Sequence, residues 1–148
     1  MARFDFFAAA EAVATQLRAD AGIVARGAKV LVEEDVNFMD GQVIVIRSPS
    51  FTAPDGMQTL SNNTRLRMQV NMELYCLAFS GQLPAARELR NDLVGDVILA
   101  LMTDATFGLA SVASSWITGA QFEAGAAGQN KLYALGVLNL TLDGSSVR

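Results

Sequence analysis

The residues best equipped for chemistry fall in three places. Glu33, Glu34 and Asp35 form an acidic run with Asp40 close behind, Arg65 and Arg67 stand two apart, and Cys76 is the single cysteine. Grouped carboxylates can hold a cation or move protons, a thiol can act as a nucleophile, and arginines can clamp carboxylates. The surroundings of each argue for something plainer. Histidine is absent, which removes the commonest general base, the usual zinc ligand and every Ser–His or Cys–His pair. The stretch from Asp35 to Gly41 fails as a calcium loop. Met39 stands where an oxygen ligand is needed, Asp40 where the glycine belongs, and Ile46 in place of the closing glutamate. The acidic run therefore reads as a solvated patch, with no metal site. Cys76 falls on the apolar side of an alternating segment and reads as a buried structural thiol. Gly125 and Gly128 are not followed by the helix that a phosphate cradle requires. No catalytic residue and no cofactor is expected, and the chain does not read as an enzyme.

Arg65 and Arg67 open the segment RLRMQVNMELYCLAF (65–79), whose pattern is that of one long strand. Leu66, Met68, Val70, Met72, Leu74, Cys76 and Ala78 make one unbroken apolar face. The opposite face begins with Arg65, Arg67, Gln69, Asn71 and Glu73 and ends with Tyr75, Leu77 and Phe79. At ~3.3 Å per residue the strand spans roughly 50 Å, well beyond the usual five or six residues. A strand longer than its own core projects, and a projecting strand needs neighbours for its backbone groups. The two arginines point the same way, so they serve either a solvated face or a contact to carboxylates of a neighbouring subunit.

The remaining elements follow from spacing. Asp5 caps a helix over 5–19, with Phe6, Ala10, Val13 and Leu17 on one stripe, ended by Ala21-Gly22. Residues 28–38 and 42–47 read as strands joined at Asp40-Gly41, a hairpin signal. The Glu33–Asp35 run marks the first of them as an edge strand or a solvated end. A long turn-rich loop covers 48–64. Pro84 starts the main helix, 84–102, buried through Ala86, Leu89, Leu93, Val97, Ala100 and Leu101, with Arg90 among the residues lying off that stripe. Strands at 116–124 and 131–142 close the chain. The order is α-β-β-β-α-β-β, an α+β fold with a mostly antiparallel sheet and two main helices packed on it.

At 148 residues the chain fits one domain, 1–148, able to bury roughly 70% of its unfolded surface without metal or disulfide. Nine of its eleven basic residues are arginine, scattered through a chain of net charge −4, so nucleic-acid binding is disfavoured. An apolar fraction of 51% and a mean hydropathy of +0.30 fit either a densely filled core or surface covered by other subunits. No segment reads as a signal peptide or a membrane span. Residues 105–122 carry no charge but are too rich in Ser, Thr and Gly to sit in hydrocarbon. A single cysteine suits a reducing compartment.

One segment carries a resemblance. LVGDVILALMTDATFGLASV (93–112) runs a helix into Leu101-Met102-Thr103-Asp104-Ala105-Thr106-Phe107-Gly108. Aspartate opposes the negative end of a helix dipole, so Asp104 reads as an Asx-type turn that closes the helix, with Phe107 packing back and Gly108 at positive φ. This exit resembles that of the tail-terminator and tail-completion proteins of long-tailed bacteriophages and prophages, through Leu101, Asp104, Thr106, Phe107, Gly108 and Val112. The long strand before it and the β-hairpin after it match the family's order, and the family often has a second glycine where this chain has Leu109. The resemblance implies a homo-oligomeric ring, commonly a hexamer, at the end of the tail tube. Such a ring stops tube growth and meets the tube protein and the head–tail connector. It implies a virion component of the tail or neck, made in the host cytoplasm, with DNA passing through the channel without specific binding. On that view Glu33, Glu34, Asp35, Arg65, Arg67, Tyr75 and Phe79 are the candidate subunit-interface residues. A head–tail connector or tail-tube component is the nearest alternative. A small-ligand-binding α+β dimer of ferredoxin-like type is the alternative of another class, distinguished by thermal stabilisation with a metabolite.

Overall fold

The computed structural model describes residues 4–33, 41–52, 65–128 and 131–147. Eight elements follow one another: α1 (Phe6–Ala19), α2 (Ala21–Ala25), β1 (Lys29–Val32), β2 (Gln42–Thr52), β3 (Arg65–Ser80), α3 (Leu83–Leu101), β4 (Val112–Gly128) and β5 (Lys131–Val147). The strands form one five-stranded sheet in the order β1-β2-β3-β5-β4, with only the β1–β2 pair parallel. The helices pack on one face, giving the expected α+β architecture.

The helices form where capping and periodicity place them. Asp5 accepts a hydrogen bond from the Ala8 N–H at 2.9 Å and starts α1, whose Ala9, Ala10, Val13, Ala14 and Leu17 are buried. The helix does not simply end near Gly22. Asp20 closes α1 and its carboxylate then accepts from the Ile23 N–H, starting the short α2 and placing Ile23 in the core. In α3 the buried stripe is Ala86, Arg90, Leu93, Val94, Val97, Ala100 and Leu101. Arg90 belongs to the stripe, contrary to the sequence reading. It sits four residues after Ala86, so helical periodicity puts it on the inward face. Its guanidinium stacks 4.9 Å from the Phe122 ring, donates to the Glu123 carbonyl and bonds Asn91.

Asp40-Gly41 does not make a hairpin. β1 ends at Val32 and runs parallel to β2, with Lys29 opposite Val43 and Val32 opposite Ile46. Glu33 leaves the strand at φ 53, its N–H bonded to the Ile46 carbonyl. A turn dipeptide is a local signal, whereas pairing direction is set by what the strand packs on. Here Val30 is buried below α1, whose Arg18 donates to the Val30 carbonyl at 2.7 Å. β1 is an edge of the sheet, as the acidic run after it indicated. β2 continues through 48–52, part of the segment read as loop, with a register shift between Arg47 and Ser50 around Pro49, which has no N–H for the ladder. Residues 53–64, the rest of that loop, lie outside the described residues.

The last two strands are longer than their apolar patterns. β5 pairs with β3 over its whole length, from Arg65 opposite Val147 to Ser80 opposite Leu132. Asp143-Gly144-Ser145 has turn composition, yet it continues the strand because the start of β3 requires a partner. Gly144 and Gly136 also make room for the core. A Cβ at Gly144 would sit 2.7 Å from the Phe4 ring, and one at Gly136 would sit 2.8 Å from the Val94 side chain.

β3 lies inside the sheet over most of its length. It has β5 along one side and, from Gln69 to Ala78, β2 along the other. Its even-numbered residues from Met68 to Ala78 are all buried in the core beneath α1 and α3 or beside it. From Gln69 to Ala78 the ribbon is an interior strand paired on both sides, while Arg65–Met68 pair with β5 and, among the described residues, with nothing on the other side.

Candidate functional site

The motif residues come together at the exit of α3. Asp104 Oδ1 accepts from the Thr106 N–H (2.9 Å) and the Thr106 hydroxyl (2.8 Å), and Oδ2 accepts from the Gly108 N–H (3.0 Å). These bonds, the Thr106 N–H first, hold the Asp104 carboxyl below its ordinary pKa. Gly108 has φ 70, as the turn requires, and Phe107 also takes a left-handed φ of 52. That strain is held by burial of the Phe107 ring, while Leu101 and Val112 enter the core on either side of the turn. The α3 carbonyls are capped from another helix. Gln16 of α1 donates through Nε2 to the carbonyls of Ala100 (2.9 Å) and Asp104 (3.2 Å). A shallow cleft of about 390 Å³ lies here, lined by Thr15, Gln16, Asp20, Thr103, Asp104 and Phe107 among others. Asp104 and Asp20 already accept backbone N–H groups, so the turn is a structural closure that fixes how the chain passes from α3 to β4.

The interface candidates are spread out. Glu33 is exposed just past β1, and Glu34 and Asp35 lie outside the described residues. Arg65 pairs its backbone with Val147, and its side chain is outside the described set. Arg67 is exposed and donates to Asp143 of β5 at 3.3 Å. Tyr75 donates to Glu73 at 2.6 Å, a bond that raises its pKa, and the Arg47 guanidinium lies 5.7 Å from its ring. Phe79 is half-buried opposite Tyr133. Within one chain, Glu33 stands level with Ile46 and hence with Leu74, on the edge of the sheet. Arg67 lies seven residues further along β3.

Arg67, Tyr75 and Phe79 belong to the sheet face without helices. That face is polar toward the start of β3. A recess of about 210 Å³ is lined by Ser50, Asn71, Glu73, Thr118, Asn139 and Thr141, with Thr141 donating to Asn71 at 3.0 Å. Hydroxyls and amides dominate it, and no acid–base pair is assembled there. Cys76, on the helix-covered face, is fully buried, and burial pushes its thiol up to about 12. Among the described residues no group of three or more His, Cys, Asp or Glu gathers at one point, and no helix is long and apolar enough to cross a membrane.

Several exposed features went unseen in the sequence. Leu99, Met102, Val24 and Phe7 are large apolar side chains more than 60% exposed on the helical layer. Trp116 and Phe122 stand 40% and 55% exposed on β4. β4 itself is an outer strand of the sheet, at the opposite edge from β1. Chain order could not reveal this, because β5, last in sequence, inserts between β3 and β4.

No protein-family model matches the chain, and no curated protein matches it in sequence. Among solved structures, a chain from the virion of a native gene transfer agent (GTA) particle shares its fold with a TM-score of 0.61 and 15% identity. The match covers 93% of this chain and 97% of that one.

Proposed function

We propose that this protein is a structural component of a phage-like particle, acting as a tail-terminator ring. Copies assemble head to tail at the end of the tail tube, stop its growth and present a surface to the head–tail connector. The single observation that carries the reading is the end-to-end correspondence in fold with a GTA virion protein, over 93% and 97% of the two chains. A match over nearly the whole of both chains differs from a shared submotif. The α3 exit built on Asp104, Thr106, Phe107 and Gly108 adds the family resemblance.

The chemistry of the surface agrees with work by fit rather than by catalysis. Exposed Leu99, Met102, Val24 and Phe7 give the helical layer an apolar surface suited to a partner. A ring requires two different patches that meet by rotation. The acidic run at Glu33–Asp35 and the arginines Arg65 and Arg67 are one such pair. Among the described residues Arg67 is held by an exposed ion pair with Asp143, and such pairs contribute about 0–1 kcal/mol, so exchanging it for an intersubunit partner costs little. A net charge of −4 suits a channel that DNA must traverse without adhering. On this reading the protein resides in the tail or neck of the virion after synthesis in the host cytoplasm.

The test is to add purified protein to its polymerising tail-tube protein and image the tubes. Ring-capped tubes of limited length are expected, and Arg65→Glu with Arg67→Glu reduces capping. Tubes that keep growing with bare ends would overturn the reading.

A further inference from the structure

β4 is 17 residues long and has β5 on one side, and nothing among the described residues pairs with its other side. Its register against β5 runs without a bulge from Gly119 to Ala126, about 26 Å of regular edge. Such an edge presents backbone N–H and C=O groups at every second residue. Monomers blunt it with proline, lysine, short strands or bulges. The stretch GAQFEAGA has neither proline nor lysine, and Glu123 is its only charge. Ala120, Gln121, Phe122 and Glu123 are all exposed, so the edge is open to solvent.

We propose that Gly119–Ala126 of β4 pairs antiparallel with the same stretch of a second copy of this chain, about a two-fold axis at Phe122. The register follows from the residues. In a continuous sheet, directly opposed residues share a face, so the sum of their numbers must be even. Two even registers centre the bulge-free stretch. One opposes Glu123 to Glu123 of the second copy, a repulsive contact. The other opposes Phe122 to Phe122, Gln121 to Glu123, Ala120 to Ala124 and Gly119 to Gly125. It places an aromatic pair at the centre, an amide–carboxylate pair on either side of the axis, and small residues beyond. Arg90 already stacks on the Phe122 ring and holds it over the edge of the sheet. The pairing doubles the five-stranded sheet into one continuous sheet. The contact closes on itself at two copies, so it is separate from the head-to-tail contact of a ring. It goes beyond the proposed function and does not depend on it.

Sedimentation equilibrium of the full chain tests it, with Gln121 as the probe. This side chain is exposed, so its replacement leaves folding intact, as circular dichroism will verify. A reversible dimer is expected. Gln121→Lys places an ammonium opposite Glu123 at two symmetric positions and tightens the dimer about fivefold, whereas Gln121→Glu opposes two carboxylates and weakens it about as much. A wild-type chain that stays monomeric at all concentrations overturns the proposal, as it would if another protein's strand takes this edge. So do two variants that shift association equally or not at all.

Discussion

β3 and β4 are of nearly equal length, 16 and 17 residues, yet they occupy opposite situations. From Gln69 to Ala78 β3 has paired neighbours on both sides, and its even-numbered side chains from Met68 to Ala78 are at most 5% exposed. Among the described residues β4 has a neighbour on one side only, and its residues from Ala120 to Glu123 are exposed. The difference arises from the route of the chain. β5 is antiparallel to both, so β3 and β4 run parallel with β5 between them. α3 is the crossover that carries the chain past the space that β5 later fills. Length and alternation specify a strand, and rank in the sheet is specified by connections.

If rank decides energetics, substitutions in the two strands must cost very different amounts. Leu74→Ala removes a fully buried side chain under the helices and is expected to cost about 2–5 kcal/mol in urea unfolding. Ala120→Ser on the exposed edge stays within about 0.5 kcal/mol. Similar losses at both sites would break the comparison. A smaller effect belongs to β5, which the crossover brings between them. Gly136→Ala builds a methyl 2.8 Å from the Val94 side chain and is expected to cost about 1–3 kcal/mol by overpacking. No loss there would mean that α3 rides more loosely on the sheet than its packing indicates.

The smallest effect sharpens the part played by the crossover itself. Bonds from Thr106 and Gly108 lower the folded pKa of Asp104 below the ordinary carboxylate value. A lowered folded pKa contributes stability that is present above the unfolded value and is lost as pH falls through the folded one. The advantage of wild type over Asp104→Ala in urea midpoint is therefore expected at neutral pH and shrinks progressively below about pH 4. An advantage independent of pH would assign the turn to backbone geometry alone.

Much of this was legible because it is local. Asp5 as a cap needs only the N–H groups three residues ahead, and the Asp104 turn closes within five residues. The apolar face of β3 needs only a period of two. The hairpin misreading at Asp40-Gly41 and the short β4 and β5 have a common origin: strand direction, extent and neighbours depend on residues far away in the chain. Arg90 lies between. It was read as lying off the buried stripe although it stands four residues from both Ala86 and Val94, and the aromatic ring that receives it comes 32 residues later, on β4.

The sequence by itself determined the α+β class, the capped helices, the turn at Asp104 and the apolar faces, since each rests on periodicity or on hydrogen bonds between near neighbours. Tertiary structure alone decided that β3 lies inside the sheet and β4 at its rim, that β1 runs parallel to β2, and that a buried arginine meets Phe122. Those outcomes depend on which strands share hydrogen bonds across long sequence separations, and backbone groups, being the same in every residue, carry no record of their partner.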